Sequence, residues 1–185
     1  MATFIIEHLE PRVGKWVLHE YSHIAELVGK QNLLITNTRS KQIARFARTD
    51  ARSVKQLAFR NACVLDPDAA RTLTPADAKR FNTFIFGGIL GDYPPRKRTN
   101  IELGDVAGER RNLGKEQMST DTAVHVVKRI TEGVSIEQMR FQDTITIPFR
   151  EGEEIELPYR YLLDKNGKPH LPLDLVQWLK RKKGF

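Results

Sequence analysis

Between residues 3 and 88 the chain alternates short apolar runs with longer amphipathic stretches, and this alternation restricts the fold more than any other feature of the sequence. Residues 3–7 read as a strand, and residues 14–28 as a helix with Trp16, Val17, Ile24, Leu27 and Val28 on its buried side. Residues 33–36 form a second predicted strand, and residues 40–59 have largely helical spacing. A third strand at 62–65 is closed by Asp66-Pro67. Thr74-Pro75-Ala76-Asp77 then supplies a Thr cap, a Pro in the first turn and an early carboxylate, the signals of a helix start. Residues 83–86 form a fourth strand that runs directly into Gly87-Gly88. Apolar strands separated by helices predict an α/β fold, a mainly parallel sheet flanked by helices. Ligands of such sheets bind at the carboxyl ends of the strands, which is where these glycines lie.

The second half is less regular. Residues 91–100 are rich in Pro and Arg and exclude a helix interior. Residues 109–113 read as a fifth strand and residues 120–131 as a helix. On that helix Ala123, Val124, Val126, Val127 and Ile130 oppose His125, Lys128, Arg129 and Glu132. Ser135 and Gln138 have capping-box spacing. Residues 144–147 and 154–157 alternate like strands, Asp164-Lys165-Asn166-Gly167 is a turn, and residues 173–183 form a last helix with a basic end. No repeat, low-complexity linker or domain boundary interrupts the 185 residues, so a single domain over 1–185 is expected.

Composition removes several classes of function. No apolar run approaches membrane-spanning length, and the start MATFIIEH lacks a signal-peptide pattern, so a soluble cytoplasmic protein is expected. A single cysteine, Cys63, excludes a disulfide framework and a multi-cysteine metal site. The net charge of +7 suits an acidic partner such as RNA or a ribosome without identifying one.

Two segments carry the candidate chemistry. In FIFGGILGD, residues 84–92, Gly87, Gly88 and Gly91 leave bare backbone at a strand end, where amides and carbonyls can approach a ligand. The spacing matches neither a dinucleotide fingerprint nor a phosphate-binding loop, and a tight turn explains it as well. In RNLGKEQMSTDT, residues 111–122, the chain passes Gly114 and enters a helix through Ser119, Thr120, Asp121 and Thr122. Those residues are also ordinary helix caps. The two loops, each following a strand, together suggest a ligand crevice. His19 and His23 stand four apart on the first predicted helix, yet no third ligand at a suitable spacing joins them, so no metal site is expected. No nucleophile elbow or Ser/His/Asp order supports hydrolysis.

FIIEHLEP, WVLHEY, FGGILGDYPPRKRT, RRNLGKEQMSTDTAV and LPYRYLLDKNGKPHLP occur in this order, and with them the chain resembles the SPOUT-class protein arginine methyltransferases of fungi and their relatives. The resemblance runs from the N-terminus to about Trp178 and is weakest across residues 39–61, where this chain is shorter. It implies a SPOUT fold with a deep C-terminal trefoil knot over about 83–135, followed by C-terminal strands and a helix over 140–183. It implies S-adenosylmethionine (SAM) as cofactor, bent among three loops. Carried onto this sequence, Gly87, Gly88, Leu90, Gly91, Leu113, Gly114, Met118 and Thr122 are the expected cofactor-binding residues. The implied substrate is an arginine of a ribosomal protein, on the small subunit or free.

An arginine guanidinium is a poor nucleophile, with a pKa above about 12. A carboxylate assists by orienting one nitrogen and taking its proton as the methyl transfers. Asp92 and Asp121 are the first candidates and Glu7 the next, with Glu20 and Glu116 also within the matched segments. Capping is the competing role for Asp121. A SPOUT RNA methyltransferase is the main alternative function, with Arg96, Lys97, Arg98 and Lys115 as phosphate contacts. A ribosome-binding protein without catalysis is the other. A monomer is favoured over a homodimer, because the domain core should use the single apolar stripe of helix 120–131.

Overall fold

Strands β1 (Thr3–His8) and β5 (Thr83–Gly88) lie side by side and parallel in the middle of a six-stranded sheet, with almost every side chain buried. A strand covered on both faces must be a continuous apolar run, which explains TFIIEH and TFIFGG. The computed structural model describes residues 2–88, 102–150 and 153–181, with residues 149 and 150 given by their backbone alone. β2 (Leu33–Thr36), β3 (Arg48–Thr49), β4 (Ala62–Leu65) and β6 (Glu109–Arg111) complete the sheet in the order β3-β2-β1-β5-β4-β6. Every pairing in it is parallel, so all the strands end at the same edge.

The pleat sorts the core into two layers. Phe4, Ile6, Phe84 and Phe86 pack with the apolar stripes of α1 (Lys15–Val28) and α3 (Thr120–Thr131). Ile5, Val64 and Ile85 face the other way, onto Val54, Leu103 and Val106. α2 (Pro75–Ala78) starts as expected, with Thr74 Oγ1 accepting the Asp77 N–H at 3.1 Å. After α3 the chain forms an antiparallel hairpin of β7 (Phe141–Arg150) and β8 (Glu153–Leu162), and α4 (Leu173–Arg181) packs on it. Ile145, Ile147, Ile155, Leu157, Leu175 and Leu179 make this third cluster. α3 packs against α1, β5 and β8, so it joins the sheet to the hairpin.

The mainly parallel α/β arrangement agrees with the sequence reading, and one stretch of it does not. Residues 40–59, expected as helix, fold as a single turn at Ile43–Arg45, the short edge strand β3 and a second turn at Val54–Gln56. Ile43, Ala47 and Val54 are buried at positions that share a helical phase, but an edge strand and two turns bury them instead. Ser53 and Gln56 close a capping box around the second turn, and Asp50 binds Arg52, so local polar bonds compete successfully with a helix. β6 stops at Arg111 rather than continuing to 113, because the Asn112 backbone leaves β4 and bonds instead to the Arg71 carbonyl at 2.9 Å and the Leu73 N–H at 3.0 Å. The hairpin strands are longer than expected, since their exposed faces are polar and carry little signal.

Candidate active site

β1 and β5 end together, with Glu7 beside Gly87 and His8 beside Gly88. A Cβ on Gly88 would lie 2.3 Å from the Tyr21 hydroxyl and 2.6 Å from Ile6 Cγ2, so only glycine lets α1 approach this closely. The Tyr21 hydroxyl lies 3.1 Å from His8 Nδ1, and burial pushes its pKa up. Gly91, Leu90 and Asp92 lie outside the described residues, as do Arg96, Lys97 and Arg98.

Glu7 is buried at the same edge. Its Oε1 accepts from Ser53 Oγ at 2.6 Å, and its Oε2 accepts from Thr36 Oγ1 at 2.5 Å and from the Val54 N–H at 2.9 Å. These bonds tie β1 to β2 and to the turn after β3. They give the carboxylate a structural task, against the expectation that it faces an acceptor.

The second loop leaves β6 at Arg111, whose buried guanidinium binds Asp77 at 3.1 Å and Glu109 at 2.8 Å. Leu113 is half-buried against the α1–α3 core. Gly114 has φ +100°, and nothing lies within 4 Å of where its Cβ would be. Bare backbone therefore faces open space there. Lys115 and Glu116 are exposed.

The third loop enters α3. Ser119 takes the N-cap position, and Asp121 is buried in the first turn. Asp121 Oδ1 accepts the Thr122 N–H at 2.9 Å and lies 2.6 Å from Ser119 Oγ, which is also 2.9 Å from Thr122 Oγ1. Met118 is half-buried against the core and bridges to Arg160 on β8. The Gln117 carbonyl accepts the Arg160 N–H at 2.8 Å, whereas Gln117 Oε1 is buried without a partner among the described residues. A buried acceptor left unpaired is costly, so one in this loop asks for a donor from a ligand. SAM carries such donors on its adenine, ribose and ammonium groups. The residues of the second and third loops thus fit it.

α1 brings two more groups against α3. His23 Nδ1 lies 2.9 Å from Asp121 Oδ2, and His23 Nε2 lies 3.1 Å from Nδ1 of His170, in the segment after β8. Glu20, one turn earlier, is buried and accepts from Trp16 Nε1 at 2.9 Å. Burial first, and the Asp121 carboxylate next, push the Glu20 pKa up to about 8. Tyr161 on β8 is raised by burial, then by Asp121 and Glu20, which places a phenol beside the same carboxylates. Trp16, Glu20, Asp121 and Tyr161 therefore cluster where α1, α3 and the hairpin meet.

The sequence reading singled out Asp121 and kept Glu20 in reserve. It missed Tyr161 and His170, which lie within LPYRYLLDKNGKPHLP but form no recognisable spacing with residues of α1. The His19–His23 pair diverges: His19 faces Trp178, with ring centroids 6.0 Å apart, while His23 turns to Asp121.

The comparisons with known proteins agree on one relationship. A family model described as "Protein arginine N-methyltransferase SFM1-like" matches residues 3–184. The protein arginine N-methyltransferase SFM1 of Saccharomyces cerevisiae is 37% identical over 201 residues, covering 96% of this chain and 94% of the yeast protein. A crystal structure of the yeast enzyme complexed with SAM superposes with a TM-score of 0.86 at 34% identity, covering 98% of this chain and 91% of that one. Trm10 from Thermococcus kodakaraensis, at 16% identity and a TM-score of 0.55, shares the fold over 75% of this chain and 96% of that one. With a family model spanning nearly its whole length and a relative this similar, the chain belongs to the SFM1-like protein arginine N-methyltransferases.

Proposed function

We propose that this chain transfers a methyl group from SAM to the guanidinium of a protein arginine, with Asp121 and Glu20 receiving that guanidinium. The observation that carries the reading is the buried pair itself. Two buried carboxylates lie together beside an indole and a phenol, and burial with the neighbouring charge lets one of them hold its proton up to about pH 8. A pair of this kind is short of positive charge, and an arriving guanidinium supplies it with planar donors suited to carboxylates.

SAM, when bound, supplies a methyl group already activated on a sulfonium centre. The protein's part is alignment and proton management. Asp121 is held by Thr122, Ser119 and His23 and orients one guanidinium nitrogen. That nitrogen forms the new N–C bond while the electron pair of the broken C–S bond stays on sulfur. The N–H proton passes to a carboxylate of the pair, so the product leaves as a methylated guanidinium. Gly87, Gly88, Leu113, Gly114, Met118 and Thr122 are assigned to the cofactor, together with Leu90 and Gly91. Asp92 is kept as a further acidic contact and Glu7 as a buttress of the strand edge.

The acceptor we favour is an arginine of a ribosomal protein, and the enzyme is read as a cytoplasmic monomer. The net charge of +7 supports a ribosomal setting. No helix among the described residues is long and apolar enough to cross a membrane. The knot reading draws support from the path of the chain, which leaves β6 beyond β4 and returns with α3 onto β5 and α1. Because α3 packs on both the sheet and the hairpin, residues 1–185 are read as one methyltransferase domain.

Incubation with labelled SAM and ribosomal subunits, followed by protease or ribonuclease, tests the acceptor. Label lost to protease is expected. Label that survives protease and is lost to ribonuclease would replace this reading with an RNA methyltransferase. Asp121→Asn and Glu20→Gln should each lower transfer by about 10–100-fold while calorimetry still shows SAM binding. Activity within twofold of the wild type in both would remove the pair from the mechanism.

A further inference from the structure

We infer that His23 is a positioning residue for Asp121, locked in one tautomer by His170, so that the segment after the hairpin completes the active site from 147 residues away in sequence. The inference rests on the reading of Asp121 as an acceptor carboxylate.

A neutral imidazole has one donor and one acceptor nitrogen. An ionised carboxylate only accepts, so the proton between His23 and Asp121 belongs to His23 Nδ1. With His23 neutral, Nε2 is left as an acceptor, and His170 Nδ1 donates to it. The chain of bonds has one polarity, from His170 through His23 to Asp121 Oδ2. Both rings are held for it. They lie at 16° to one another with centroids 5.1 Å apart, and the His170 backbone N–H donates to the Leu162 carbonyl at 2.9 Å, at the end of β8. The His125 ring packs edge-on against His170 at 4.5 Å.

The two rings beside His23 are themselves pushed towards the neutral form. Burial, followed by His23, lowers the His170 pKa, against opposing effects of Asp121 and Asp164. His125 is pushed down to about 4 by burial, then by His170, His23, Lys128 and Arg129. Glu20 faces Asp121 from α1, and Tyr161 faces it from β8.

The two oxygens of Asp121 are treated differently. Oδ1 meets Ser119 Oγ and the Thr122 N–H, both from its own helix turn, whereas His23 is the partner of Oδ2 among the described residues. His23 therefore fixes the carboxylate plane and leaves a second lone pair of Oδ2 for the guanidinium. Without it the carboxylate can turn about its bond to the helix, and the acceptor nitrogen loses its alignment. Misplacement on the scale of an ångström costs up to about 100-fold in rate.

The test uses the purified full chain with saturating SAM and the arginine acceptor. His23→Phe keeps the ring volume and removes the donor; kcat should fall about 10–100-fold while the Kd for SAM stays within twofold. His23→Asn, whose side-chain amide can donate from the position of Nδ1, should restore kcat to within about fivefold of wild type. The double variant His23→Phe/Asp121→Asn should be no slower than Asp121→Asn alone, because both remove one interaction. His170→Phe should lower kcat less, about threefold to tenfold, by freeing the tautomer. If Asp121→Asn is inactive while His23→Phe and His170→Phe keep wild-type kcat, the positioning role is wrong and the Asp121 reading stands. If Asp121→Asn itself stays fully active, that reading fails and the inference falls with it. Equal losses in His23→Asn and His23→Phe would also overturn it, since the donor would then not be what matters.

Discussion

Glu20 keeps a proton that an exposed carboxylate would have released more than three pH units lower, because water is excluded from it and Asp121 stands nearby. This has a consequence for stability. From pH 4.5, the ordinary value, to about 8 the folded chain holds a proton that the unfolded chain gives up. Stability from this group is fully present below pH 4.5 and is lost as pH rises towards 8. Glu20→Gln removes the titration and still accepts the Trp16 N–H. At pH 8 it should be more stable than wild type by about 1–3 kcal/mol, with the gain shrinking towards pH 5. Melting temperatures across that range would check it, and a gain independent of pH would exclude titration of Glu20 as the cause. A variant more stable and less active is the usual sign of a residue kept for function.

At the scale of elements, the site consists of strand ends and one helix start. Gly88 and Gly114 serve it in opposite ways. Gly88 lies under α1, so Gly88→Ala drives a Cβ into the Tyr21 hydroxyl and Ile6 and should cost about 1–3 kcal/mol of stability. Gly114 has room for a Cβ but a φ of +100°, so Gly114→Ala should cost on the order of 1 kcal/mol. The added methyl would stand where a ligand meets bare backbone. Calorimetry should therefore show weaker SAM binding in Gly114→Ala than its small stability loss explains. Unchanged binding would remove Gly114 from the cofactor site. The start of α3 likewise has two uses: Asp121 suits the positive end of the helix, and the same position turns its second oxygen towards α1.

For the whole molecule, the decisive packing is that of α3. Val124, Val127 and Ile130 are buried in the core shared with α1 and β5, while Lys128, Arg129 and Glu132 form ion pairs on the outer side. The apolar stripe is consumed inside the chain, and no second copy is needed to cover it. Sedimentation at micromolar concentration should give a monomer; a tight dimer would mean that the charged face is an interface.

Much of this was legible beforehand because it depends on neighbours in sequence. β1, β2, β4, β5, α1 and α3 announce themselves through apolar runs or helical spacing, and the parallel sheet follows from their alternation. The glycine run after β5 and the Ser-Thr-Asp-Thr start of α3 were visible for the same reason. Residues 40–59 were not, since Ser53, Gln56 and the Asp50–Arg52 pair outweigh a helical phase that burial alone suggested. The buried cluster around Asp121 was legible only in part. Asp121 could be picked out from its loop, but its partner His23 is 98 residues away, and His170, which binds His23, is 147 residues from it. Glu7, the next candidate, looked suitable at a strand end, but Ser53 and Thr36 bind its oxygens. Local spacing determines which elements form and which edge the strands end at. Which carboxylate stays short of a cation depends on groups brought together only by the packing of α1, α3 and the hairpin, and that was decided by the tertiary structure.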